Sequence, residues 1–245
     1  MTTKKSETKS SGKFERPDGR KVNELRPIWA KVGVVPNADG SAIYASGDTI
    51  AIAAVYGPKQ MHPQHSQNPE KGTLRCTYLM NSFSVNERIK PGPNRRSMEI
   101  SKITEWALEP VLMLKDFPSQ VIDVHINIIQ ADAGTRCAGI NAASMALAHA
   151  GVPMKSLVTS VSAGKLDKTL VIDLDKEEED FEEGEGPTDI PLSFTGDGKI
   201  THMQLDGKIS PAQLKEAVEM ARESAKEIHK IQVKALKDSV EGDKK

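Results

Sequence analysis

The order of periodic segments along this chain predicts an α/β protein of the α+β kind, folded as one domain. Three observations carry that expectation. The run "VIDVHINIIQ", residues 121–130, alternates Ile122, Val124, Ile126 and Ile128 with Asp123, His125 and Asn127, the two-residue period of a strand with one buried face. Two other segments repeat apolar residues at helical spacing: Met98, Ile100, Ile103, Trp106, Ala107, Val111 and Leu114, and then Leu214, Ala217, Val218, Ala221, Ala225 and Ile228. The full order reads strands, helix, strand, helix, strands, helix, without the strict alternation of a doubly wound sheet.

Residues 1–12 are rich in Lys, Ser and Thr with no apolar period and read as a flexible tail ahead of a domain over 13–240, with 241–245 as a second tail. "PIWAKVGVV", the turn "PNADG" and "SAIYASGDTIAIAAVYG" suggest a β-meander, and "TLRCTYLM", 73–80, another strand. Pro91 and Pro93 keep the loop before the first helix irregular, and Pro110 should kink or divide that helix. A second helix is expected from about Thr135 to His149, stopped by Gly151 and Pro153. Strands follow at about 156–164 and 168–174, then an acidic loop over 175–188. "DIPLSF" and "ITHMQLD" read as a hairpin around Gly196-Asp197-Gly198. Ser210-Pro211-Ala212-Gln213 opens the last helix as a capping box, and that helix should reach about Lys237.

The chain has 245 residues, 38% of them hydrophobic, which allows a core of ample size. No apolar run approaches the roughly 20 residues of a membrane span, and the N-terminus has no apolar signal region, so a cytoplasmic protein is expected. Cys76 and Cys137 are far apart and read as reduced thiols. Net charge is −1, but its distribution is uneven. Residues 1–31 and "NERIKPGPNRR", 86–96, are basic, whereas "DLDKEEEDFEEGE", 173–185, is acidic. Opposed local patches suit an enzyme with a site better than a uniformly basic coat.

Gly134-Thr135-Arg136 follows a strand and begins a helix. Free backbone N–H groups, a hydroxyl and a guanidinium together suit an anion there. Locally, a Thr135 N-cap followed by small packing residues fits as well. Arg95 and Arg96, preceded by Arg88 and Lys90, suit phosphates or simply a solvated loop. Asp173, Asp175, Asp180 and Asp189 offer carboxylates for proton transfer or a divalent ion, although most of the acidic segment reads as solvated. His62 and His65 flank Pro63 without further ligands, which argues against zinc.

Five ordered blocks together resemble the RNase PH family, in particular its archaeal exosome ring subunits. They are "RPDGRKVNELRPI", "NADGSAIYASGDTIAIAAVYGPKQMHP", "NERIKPGPNRRSMEISK", "QADAGTRCAGINAASMALAHAGVPM" and "VIDLDKEEEDF". The resemblance implies a βαβα domain with a mixed sheet, assembled into a six-membered ring with a paralogous RNase PH-like subunit and RNA-binding cap subunits. It implies 3′→5′ phosphorolysis of RNA to nucleoside diphosphates, reversible to 3′ tailing, with inorganic phosphate as co-substrate. Carried over residue by residue, the phosphate site falls on Gly134, Thr135 and Arg136, RNA contacts on Arg95, Arg96, Arg88 and His62, and the first family aspartate on Asp173. The family's catalytic aspartate comes six residues after that one, where this chain has Glu179. Taking one Glu in "KEEED" as an insertion assigns the role to Asp180. Asp189 matches a further family aspartate, and Asp180 and Asp189 are the candidate ligands for Mg2+. Gln64 stands where relatives tend to carry Arg. Two alternatives remain at this level: a non-catalytic RNA-binding ring subunit, and a metal-dependent hydrolytic ribonuclease.

Overall fold

A computed structural model describes Arg16, residues 18–180 and residues 186–242. The expected tail 1–12 and residues 243–245 lie outside the described residues. Strands β1 (Ile28–Val32), β2 (Gly40–Ser46) and β3 (Thr49–Gln60) pair antiparallel in sequence, as the meander predicts. β4 (Thr73–Met80) leads into helix α1 (Arg95–Leu108), and β5 (Gln120–Gln130) returns parallel to β4 and antiparallel to β3. The sheet order is therefore β1-β2-β3-β5-β4, a mixed sheet. Pro110 divides the helical segment as expected: α1 ends at Leu108 and a single 3-10 turn carries the proline.

Helix α2 (Thr135–His149) then crosses to a second sheet, which is antiparallel throughout. Its strands are β6 (Val158–Leu166), β7 (Thr169–Ile172), β8 (Thr188–Thr195) and β9 (Ile200–Met203), ordered β7-β6-β8-β9. Between β7 and β8 lies a short helix α3 (Lys176–Glu179), where the sequence reading expected only loop. Its capping box supplies the reason. The Asp175 side chain accepts from the Glu178 N–H at 2.9 Å, and the Glu178 side chain accepts from the Asp175 N–H at 3.1 Å. Helix α4 (Pro211–Gly242) continues five residues beyond the expected Lys237, taking residues 241 and 242 into the helix. The chain from 238 to 242 holds no proline and one glycine at its end, so nothing stops the helix earlier.

Every residue of α2 from Cys137 to Leu147 is buried. The helix touches β2 and β3 on one side and β6 on the other, so small residues are required all round it. A Cβ on Gly139 would lie 3.2 Å from Ile126, and one on Gly40 would lie 2.4 Å from the Ala146 carbonyl. Asn141 fixes the helix to the second sheet by accepting from the Ser160 N–H and donating to the Ser160 carbonyl, both at 2.8 Å. One hydrophobic core runs through both sheets. In β5 the expected apolar face is buried and His125 is exposed, but Asp123 is buried as well. Burial opposes its charge, yet Arg75 at 2.6 Å and Lys59 at 2.7 Å outweigh that and hold its pKa below the usual carboxylate value.

Candidate active site

The start of α2 has an unusual approach. Ala133 and Gly134 both take positive φ, +55° and +63°, and Gly134 is the N-cap residue. Thr135 is the first helical residue and makes no cap bond, so the reading of it as an N-cap is corrected. A left-handed N-cap replaces the extended conformation that a Thr cap needs. The turn is held from behind. The Thr49 hydroxyl lies 2.7 Å from the Ala133 carbonyl and accepts from the Asp132 N–H at 3.0 Å, while Arg26 donates to the Asp132 carbonyl at 2.5 Å. Arg26 in turn is pinned by Asp173, which accepts from its Nη2 at 2.7 Å, its Nε at 3.1 Å and its backbone N–H at 2.9 Å. Asp173 is thus a buried anchor for the turn and lines neither cleft described next.

The N-terminus of α2 opens on a small cleft of about 110 Å³, lined by residues that include Arg96, Gly134, Thr135, Arg136, Lys176, Glu179 and Asp189. A larger cleft of about 830 Å³ shares Arg96, Arg136, Lys176, Glu179 and Asp189 and extends to Glu99, Asp180 and Asp206. In the small cleft three cations and a helix N-terminus therefore face two carboxylates, Glu179 and Asp189. The Arg136 Nε is buried and has no hydrogen-bond partner among the described residues, while its Nη2 lies 3.8 Å from a Glu99 oxygen. An unfilled guanidinium donor beside free helical N–H groups suits an anion.

The carboxylates differ in setting. Asp189 on β8 accepts from the Ser162 hydroxyl. Burial raises its pKa, Ser162 and Arg136 oppose the rise, and Asp206 adds to it. Glu179 ends α3; burial and then the Asp189 charge raise its pKa, against Lys176 and Arg96. Asp180 is different. Its side chain is 64% exposed and paired with Lys176 at 2.6 Å on the rim of the larger cleft.

Of the expected RNA contacts, only Arg96 lines the clefts. Arg95, Arg88 and His62 are exposed and line neither. Arg95 and Arg96 are the first two residues of α1, which is capped by Asn94 through its bond from the Ser97 N–H at 2.8 Å. Sequence reasoning missed Lys176 in the cleft, and Arg26, Thr49 and Ser162 behind it. Lys176 lay inside a segment read for its acids, and the other three come close only through the fold. Among the described residues, three acids stand close enough to share a cation: Asp18, Asp175 and Glu178. Arg16 takes both Glu178 oxygens at 2.7 Å, and Arg20 pairs with Asp18 and Asp175, so that cluster is already neutralised. Both cysteines are buried, and burial pushes the Cys137 thiol up to about 12.

A mixed five-stranded sheet, a buried central helix, and a cleft at its start where arginines and a lysine meet carboxylates have the chemistry that handling a phosphate ester needs. Models of the 3′ exoribonuclease family match the chain over residues 24–153 for domain 1 and 156–224 for domain 2. The chain belongs to this family, RNase PH, and within it to the archaeal exosome subunits. It is 52% identical over 225 residues to exosome complex component Rrp41 of Thermococcus kodakarensis, covering 91% of this chain and 89% of that one. Against Rrp41 of Methanopyrus kandleri the identity is 46%, with 93% and 94% covered. Among solved structures, rice Rrp46 superposes with a TM-score of 0.79 at 26% identity, covering 90% of this chain and all of that one. The Archaeoglobus fulgidus exosome with RNA bound to its active site gives a TM-score of 0.77 at 20% identity, covering 88% and 92%, a likeness of fold. No described helix is long and apolar enough to cross a membrane.

Proposed function

We propose that this chain is the catalytic subunit of an archaeal exosome ring and shortens RNA from its 3′ end by phosphorolysis. The observation that carries the reading is the cleft in which the N-terminus of α2, Arg136, Arg96 and Lys176 face Glu179 and Asp189. Inorganic phosphate fits between the N–H groups at Gly134 to Arg136 and the Arg136 side chain, with the Thr135 hydroxyl beside it. Its oxygen attacks the terminal phosphorus of the RNA. The bond from phosphorus to the 3′ oxygen breaks, the departing oxygen takes a proton from a carboxylic acid of the cleft, and a nucleoside diphosphate leaves. Arg96 and Lys176 counter the charge gathered by two phosphates, so positioning and electrostatics supply most of the acceleration. Run in reverse, the site adds nucleotides from diphosphates.

Arg95, Arg88 and His62, exposed outside the cleft, suit RNA upstream of the reacting end. The Asp189 carboxylate on the cleft wall is a hard oxygen donor that suits Mg2+, which when bound would offset charge on the phosphates. Asp180, tied to Lys176 on the rim, is less suited to that ion than the sequence reading has it. A paralogous RNase PH-like subunit is the ring partner that the relatives' exosome membership supports, with RNA-binding caps on the assembled ring. Exposed Trp29, Met98, Trp106 and Met113 give the surface the apolar contacts that such an assembly buries.

The test is to mix this chain with its paralogous subunit, supply RNA with and without phosphate, and identify the products. Phosphate-dependent release of nucleoside diphosphates is expected. Monophosphates alone, or activity indifferent to phosphate and lost with chelator, would establish hydrolysis instead.

A further inference from the structure

The register of α3 decides which acid enters the cleft. Glu178 is fixed: Arg16 holds both its carboxylate oxygens at 2.7 Å, and it is closed into a capping box with Asp175. The chain before it is fixed as well, because Asp173 is locked to Arg26 and its N–H donates to the Ser162 carbonyl at 2.8 Å. Between these anchors the backbone has no freedom to slide by one residue. Successive helical side chains point about 100° apart. With Glu178 turned inward to Arg16, Glu179 projects into the cleft beside Asp189 and lines both its parts. Asp180 is turned further, and its carboxylate is spent on Lys176 at the exposed rim.

Resting on the phosphorolytic reading, we propose that Glu179, and not Asp180, is the catalytic acid that meets the departing 3′ oxygen. In the forward reaction the Glu179 carboxyl gives its proton to that oxygen as the phosphorus–oxygen bond breaks, becomes a carboxylate, and regains a proton from water after the products leave. Asp180 keeps a different part: it fixes the Lys176 ammonium at the mouth of the cleft.

Ring assembled from this chain and its paralogous partner is the material for the test, with Glu179→Gln, Glu179→Asp and Asp180→Asn variants beside wild type. Ring mass and RNA binding are measured together with diphosphate release under saturating phosphate. Glu179→Gln is expected to lose about 10²–10⁴-fold in turnover at unchanged RNA affinity, as removal of a general acid does. Glu179→Asp should recover part of that loss, and Asp180→Asn, which frees only Lys176, should lose far less turnover than Glu179→Gln. Full activity in Glu179→Gln, or an equal collapse in Asp180→Asn, overturns the assignment. If the Gln variant does not assemble, Asp180→Asn decides alone: retained activity supports Glu179, and collapse overturns it. The wild-type products judge the phosphorolytic reading separately, and a wild type that ignores phosphate removes both.

Discussion

Arg26 and Asp173 form a buried pair that joins the first strand region to the end of β7 and, through the Asp132 carbonyl, sets the turn ahead of α2. Burial works against the Asp173 charge, but the Arg26 guanidinium and backbone N–H outweigh it and hold the pKa below the usual carboxylate value. A lowered carboxylate pKa means stability that is present above the unfolded value and lost as pH falls through the folded one. Wild-type unfolding free energy should therefore drop on acidification below about pH 4. Asp173→Asn is expected to cost about 3–5 kcal/mol at neutral pH, because it strands a buried guanidinium, and to lack this part of the acid limb. Urea unfolding from pH 7 to pH 3 checks both.

Gly134 carries φ +63°, and a Cβ there would stand 3.0 Å from the Arg26 Nη2. Gly134→Ala should cost about 1–2 kcal/mol from the left-handed backbone, with further loss as Arg26 shifts. The turn would open and the KM for phosphate would rise more than the KM for RNA. Equal changes in both would deny the turn a special link to the anion.

Arg95, at the start of α1, should part company with Arg136. Arg136→Ala removes an otherwise unpaired buried donor at the cradle and is expected to lower turnover by about 10²–10³-fold. Arg95→Ala, outside the clefts, should weaken RNA binding and reduce the salt slope by about one while turnover on bound RNA holds. Rapid-quench turnover and binding at several salt concentrations separate the two effects.

Asp189 has a raised pKa, so its ionisation costs stability that is lost as pH rises from the unfolded value through the folded one. Asp189→Asn keeps an acceptor for Ser162 without the charge. Thermal melts at pH 7 should show the variant more stable than wild type, with its advantage shrinking towards pH 3, while diphosphate release falls steeply. A variant that is less stable at pH 7 would count against the cost assigned to this buried charge.

The sequence by itself determined the strands and the three long helices, in their order, but not the short helix α3. A period of two in 121–130, a proline at 110 and a capping box at 210 are local signals, and the structure places a strand, a helix break and a helix start at each. The small residues after Gly134 already implied a closely packed helix, although not that both sheets would close on it. What only the tertiary structure decided is which side chains face the cleft. "KEEED" offers four acids within five residues, and spacing alone admits either Glu179 or Asp180. The choice rests on Arg16 and Glu178, 162 positions apart in the chain, whose contact fixes the rotation of α3. Likewise Asp173 reads as one more acid of a strand end until Arg26 reaches it from 147 residues away. Local periodicity reports on neighbours along the chain, whereas the direction of a charged side chain is set by partners that only the fold brings near.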